Sequence, residues 1–202
     1  PMRSSAASDV YKRQIIGCDP KREATVLNAR IRKRWLTGEL EIISICAPND
    51  LTYKVENLGN DIAILNNADI INTIEDFFQN SKFPMIILGD SILSTEEGEN
   101  IHAITKKIAD SCNVIKEDWN GFNILSPYAS RAGGLEVGFI PTKNGINAKQ
   151  MKKKILEKEI KLLFLIEADD FDIGEIDNEF TKIVYLGHHG DKLASKADVI
   201  LP

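Results

Sequence analysis

Cysteine is scarce in this chain, and the few copies stand alone. Cys18, Cys46 and Cys112 are far apart in sequence, with no CxxC pair. That excludes a disulfide framework, a zinc-ribbon spacing and an iron–sulfur ligand motif, and leaves the three as small apolar residues suited to a reducing compartment. No apolar run approaches the roughly 18 residues a spanning helix needs. No GxGxxG follows a strand-like segment, and neither GxxxxGK[ST] nor HExxH occurs anywhere. Positive charge is not in excess either. The formal charge is −5, which argues against nucleic acid as the main partner.

What is present is ordinary for a globular protein. The 202 residues are 43% hydrophobic and 27% charged, enough chain for one large domain or two small ones. The opening PMRSSAASDVYKRQ is small, polar and basic, without the apolar core of a secretory signal. Residues 1–14 therefore read as a non-native or disordered extension, similar to a translated cloning scar, with the first strand expected at Ile15. The closing Ile200-Leu201 ends a strand-like run abruptly, and the whole reads as an internal piece of a longer protein.

From Ile15 onward the pattern alternates strand and helix. Ile15-Ile16 leads into a helix over 24–36, where Leu27, Ile31 and Trp35 share one face and Arg30, Arg32, Lys33 and Arg34 form a basic one. Ile42–Ile45 reads as a buried strand. Ile70, Ile71, Ile74, Phe77 and Phe78 fit an apolar helical stripe. Met85–Leu88 is a third strand closed by Gly89-Asp90-Ser91, followed by a helix over 96–112 with Ile101, Ile104 and Ile108 inward. Residues 113–148 are irregular and glycine-rich. A Lys-rich helix over 150–158 carries Met151 and Ile155 on its inner face. The runs 162–166 and 183–186 are continuously apolar, as strands covered by helices on both faces are, and the segment between them is long enough for a crossover helix.

The βαβ pattern therefore occurs twice, carried by the stretches 15–35 and 163–202. The expected fold is a three-layer αβα arrangement with mostly parallel, Rossmann-like sheets. The expected units are 15–80 and 81–202.

In such sheets ligands sit outside the carboxyl ends of the strands. Two strand ends are therefore candidate nucleotide sites: Gly17, Asp19 and Pro20, and Glu167, Asp169 and Asp170. A carboxylate there can accept from a ribose hydroxyl, and the next helix start favours phosphate. Three acids at the second end would repel a pyrophosphate, so both sets also read as plain turn residues. His188, His189 and Asp191 look like metal ligands, but adjacent residues on an extended segment point opposite ways and no ligand spacing supports them. Ser91 and Ser130 lack the neighbouring base a nucleophile needs. No catalytic and no metal residue is expected.

Five blocks go further than pattern: IIGCDPKREATVLNARIRKRW (15–35), DLTYKVENLG (50–59), PMIILGDSIL (84–93), DWNGFNILSPYASRAGGLEVGFIP (118–141) and GHHGDKLASKADVILP (187–202). In this order they resemble the family of the large iron–sulfur subunit of bacterial NADH-quinone oxidoreductase, respiratory complex I. That region is similar to the molybdopterin oxidoreductase domain, whose two halves each present a Gly-x-Asn-Pro-like turn holding the guanosine ends of a bis-pterin cofactor. Here the turns read Gly17-Cys18-Asp19-Pro20 and Glu167-Ala168-Asp169-Asp170. The resemblance implies a scaffold segment with no redox centre or cofactor of its own and with vestigial nucleotide sites. It further implies iron–sulfur clusters elsewhere in the parent subunit, no molybdopterin, and other peripheral-arm subunits as partners. The implied place is the cytoplasmic face of the bacterial inner membrane, or the matrix side in a mitochondrion, without membrane insertion. The alternative is the molybdopterin-guanine-dinucleotide-binding part of a molybdenum oxidoreductase.

Overall fold

A computed structural model describes residues 11–48, 50–168, 171, 173–174, 176, 179–188 and 192–202. The chain forms two compact units, Pro1–Arg131 and Ala132–Pro202. The division differs from the expected one at residue 80 because strands on both sides of that point pair within one sheet.

In the first unit the strands are β1 (Tyr11–Ile16), β2 (Leu40–Ile45), β3 (Glu56–Gly59), β4 (Phe83–Gly89) and β5 (Phe122–Leu125). They form one sheet in the order β3-β2-β1-β4-β5, with every neighbouring pair parallel. The helices are α1 (Pro20–Glu23), α2 (Thr25–Leu36), α3 (Ala68–Phe78), α4 (Asp90–Leu93) and α5 (Gly98–Ser111). Successive strand residues point to opposite faces, so the isoleucine-rich runs feed two cores. On one face Ile15, Ile42 and Ile87 meet Ile31, Leu27 and Trp35 of α2. On the other, Ile16, Ile43, Ile45, Ile86 and Leu88 meet Ile74 and Phe78 of α3 and Ile101, Ile108 and Ala109 of α5. This unit is the three-layer, parallel arrangement expected.

β1 begins at Tyr11, four residues before the expected start, and residues 1–10 lie outside the described ones. The polar run Lys12-Arg13-Gln14 conceals it in the sequence. The strand is held between β2 and β4 from its first residue, with Tyr11 opposite Leu40 and Phe83. Arg13 Nη1 donates to the carbonyl of Phe83 at 2.6 Å, and its guanidinium lies over the rings of Tyr11 and Trp119.

The second unit has α6 (Ala148–Leu156), β6 (Leu162–Ile166), β7 (Lys182–Leu186) and β8 (Val199–Leu201). Asn147 and Gln150 form a reciprocal capping box that starts α6. The sheet runs β8-β7-β6, again parallel. Leu163, Leu165, Ile183 and Tyr185 pack beneath Ile155, Ile173 and Leu193. The opposite face is bare: Leu162, Phe164 and Ile166 are 52%, 57% and 68% exposed. Coverage of both faces, expected for every strand, therefore holds only in the first unit. Between β6 and β7 the described residues contain no crossover helix.

Candidate functional site

A parallel sheet ordered β3-β2-β1-β4-β5 reverses direction between β1 and β4. Connections leave those two strand ends toward opposite faces, and the resulting crevice is where such folds receive ligands. Here it is bounded by Gly17, Cys18, Asp19 and Pro20 after β1 and by Gly89, Asp90 and Ser91 at the end of β4. The sequence-predicted set Gly17, Asp19 and Pro20 thus stands at the switch point.

These residues are used by the fold. Gly17 adopts a positive φ of 58° and donates its N–H to the carbonyl of Ile45 at 2.8 Å. A Cβ on Gly17 would fall inside the side chain of Ile92, so α4 fills the space beside its backbone. A Cβ on Gly89 would strike the carbonyl oxygen of Gly17, and Ser91 Oγ donates to that same oxygen at 3.5 Å. The two strand ends therefore lie against each other at these glycines, with no space for a side chain on either.

Asp19 is consumed as the N-cap of α1. Its carboxylate accepts from the backbone N–H of Lys21 at 3.1 Å and of Arg22 at 3.3 Å, and Arg22 Nε lies 3.5 Å away. Glu23 reaches back to accept the Asp19 N–H at 2.6 Å. Pro20 is buried at the first helical position, where its missing N–H costs nothing. Of the basic face on α2, Arg34 pairs with Glu39 at 2.7 Å and Arg32 donates to the carbonyl of Thr52.

Cys18 is 3% exposed, and its thiol points at the carbonyl of Ile87. Burial first, then Glu23 and Asp19, push the thiol from its ordinary 9.0 up to about 12. Thiolate at a given pH is then depleted about a thousandfold. Iodoacetamide at pH 8 is expected to leave Cys18 unmodified in the folded chain and to modify it in urea, as read by peptide mass mapping. Equal rates in the two states would contradict this.

Sequence alone does not single out Asp90 as a site residue. It is 3% exposed, and Arg131 Nη1 lies 3.3 Å from its Oδ2. An acid directly after an apolar strand and a glycine is the one signal available. Its partner is about forty positions on, beyond the reach of local pattern.

The second strand end repeats the first. Glu167 also has a positive φ, 44°, and its N–H donates to the carbonyl of Leu186 at 2.9 Å, as Gly17 does to Ile45. One residue past the next strand the correspondence continues: Cys46 donates to Gly59, and Gly187 to Leu201. Glu167 thus occupies the glycine position of the first unit, and its Oε1 sits 2.7 Å from His188 Nδ1. Asp169, Asp170, His189 and Asp191 lie outside the described residues. A non-glycine residue in the left-handed region costs about 1–2 kcal/mol, partly offset by the extra unfolded-state freedom of glycine. Glu167→Gly is accordingly expected to raise stability by about 0.5 kcal/mol in urea titration. A loss of 1 kcal/mol or more would show that the exposed His188 pair outweighs the strain.

Among the described residues no group of three or more His, Cys, Asp or Glu is placed to hold a metal ion, and no helix is long and apolar enough to cross a membrane. The family model for molybdopterin oxidoreductase matches residues 8–202.

The chain belongs to the molybdopterin oxidoreductase family.

Curated relatives narrow the likeness. The chain is 37% identical over 189 residues to the NADH-quinone oxidoreductase G subunit of Rickettsia prowazekii, covering 93% of this chain and 26% of that protein. It is 38% identical over 191 residues to the mitochondrial NADH-ubiquinone oxidoreductase 78 kDa subunit of Neurospora crassa, covering 93% and 24%. Against the NADH-ubiquinone oxidoreductase 75 kDa subunit of Reclinomonas americana it is 39% identical over 191 residues, covering 93% and 26%. The chain thus spans about a quarter of the length of these relatives.

The family name implies a pterin cofactor, and the residues described do not fit one. The flank of Gly17 is occupied by Ile92, the Asp19 carboxylate is committed to α1, and a glutamate replaces the second glycine. The three thiols do not fit an iron–sulfur cluster either, since among the described residues no three potential ligands are brought together, whereas a cluster needs four grouped around it.

Proposed function

We propose that the chain is a segment of the large peripheral-arm subunit of an NADH-quinone oxidoreductase, retained there as a scaffold without its own redox centre. The parent enzyme passes electrons from NADH to quinone through clusters held outside this segment. In this reading the two units pack among neighbouring iron–sulfur domains and other peripheral-arm subunits, on the cytoplasmic face of a bacterial inner membrane or its mitochondrial equivalent. The observation that carries it is the closed switch point: the fold of a nucleotide-binding sheet is kept while Ile92, Gly89 and the Asp19 cap take up its binding space. The names of the relatives supply the parent.

The runner-up is a segment that binds the guanosine ends of a molybdopterin cofactor. It is favoured by the Gly17-Cys18-Asp19-Pro20 turn standing at the switch point, and opposed by what fills that crevice. Elemental and pterin analysis of the intact parent polypeptide separates the two. The scaffold reading expects iron, with no molybdenum and no pterin fluorescence after acid oxidation. Stoichiometric molybdenum with pterin would establish the runner-up instead.

A further inference from the structure

The bare face of the second unit has a counterpart in the first. The shared hydrogen bonds set Gly17 equivalent to Glu167 and Cys46 equivalent to Gly187. Counting back along the strands, Ile16 and Gln14 of β1 match Ile166 and Phe164 of β6, and Ile45 and Ile43 of β2 match Leu186 and Val184 of β7. In the first unit that face is fully covered: Ile16, Gln14, Ile43 and Ile45 are each 2% exposed or less. The cover comes from α3, β4 and α5, all of which follow β3 in the chain. β4 also lies along the far edge of β1.

In the second unit the same positions are open. Phe164, Val184 and Val199 stand side by side across the three strands, as do Ile166, Leu186 and Leu201. Phe164 and Ile166 are more than half exposed, and Val199 and Leu201 are 49% and 43% exposed. The outer edge of β6 has no strand beside it among the described residues, although a parallel sheet is ordinarily buried on both faces.

We infer that this face and the β6 edge receive a helix–strand–helix segment of the same polypeptide that follows residue 202, its strand pairing parallel with β6 as β4 pairs with β1. The second unit is the β1-β2-β3 half of a doubly wound sheet, and the segment completes the order seen in the first. A right-handed crossover from β8 to the far side of β6 places its helices over Phe164 and Ile166. The occupant is chosen by this internal precedent and by the relatives, which are about four times longer than this chain. The inference rests on the reading of the chain as part of a longer subunit.

The test places the photocrosslinker benzoylphenylalanine at Phe164 in the full-length parent polypeptide within its assembled complex. Crosslinked peptides are mapped by mass spectrometry, with an isotope-mixed preparation to distinguish copies. The same crosslinker at Ile166, nearer the strand end, serves if the first variant does not assemble. Crosslinks to residues of the same copy beyond 202 are expected. Crosslinks to a second copy, to another subunit or to residues 11–131 overturn the inference, as does a position 164 that stays open to solvent and forms none. Intact mass keeps the two readings apart. A polypeptide ending near residue 202 defeats the parent reading, whereas a long one crosslinked elsewhere defeats only the docking.

Discussion

Gly89→Ala is expected to lower the stability of the chain by about 3 kcal/mol, the upper part of the range for overpacking a close-packed site. The added Cβ would meet the carbonyl oxygen of Gly17 and would lie 3.0 Å from the Cβ of Cys18. Neither neighbour can give way easily. Gly17 is fixed by its N–H bond to Ile45 and by Ile92 against its other side, while Cys18 is buried in the α2-side core. The urea midpoint should fall by about 1 M, with an unchanged slope. Gly133→Ala is the control. Gly133 lies in a short helix, Arg131–Glu136, and nothing lies within 4 Å of a Cβ there, so that variant should match the parent chain or exceed it by up to about 1 kcal/mol, since alanine favours helix. If Gly89→Ala leaves the midpoint unchanged, the two strand ends are not closed on each other as described.

Gln14→Ile is expected to act in the opposite direction, raising stability by about 2–3 kcal/mol. Gln14 is fully buried in the central strand, opposite Ile43 on one side and Ile86 on the other. Neither its Nε2 nor its Oε1 has a hydrogen-bond partner. A buried amide without partners costs about 1–3 kcal/mol, and isoleucine adds apolar area of similar volume to the α3–α5 core. The equivalent position in the second unit is Phe164, an apolar residue. A loss of stability would mean that the amide is satisfied after all.

The parts of the fold legible in sequence are those with a long apolar period. α2, α3 and α5 carry stripes at helical spacing, and β2, β4, β6 and β7 carry unbroken apolar runs. β3 escapes a sequence reading because Glu56-Asn57-Leu58-Gly59 has one apolar side chain, and β5 because glycine and asparagine surround Phe122. Both are edge strands, held by pairing with β2 and β4 rather than by local preference. By composition β6 is a strand buried on both faces, and only its neighbours in space show that one face is open.

For the site, the strand-end position of Gly17, Asp19 and Pro20 is legible, because a positive-φ glycine and an Asp-Pro helix start are local features. What fills the crevice is not. Ile92, Gly89 and Ser91 reach Gly17 only through the parallel pairing of β1 with β4, more than seventy residues apart in sequence. Arg131 reaches Asp90 by a route that no local period records.

The scaffold reading proposed above requires that the switch point between β1 and β4 no longer takes a nucleotide. Calorimetric titration of GDP, the nucleotide end of the family's pterin cofactor, into the folded chain tests this most directly. No saturable heat is expected at about millimolar nucleotide, a concentration at which even a weak site of roughly −4 kcal/mol would show. Saturable one-to-one binding that Asp19→Ala abolishes, in a variant shown by circular dichroism to remain folded, would contradict it.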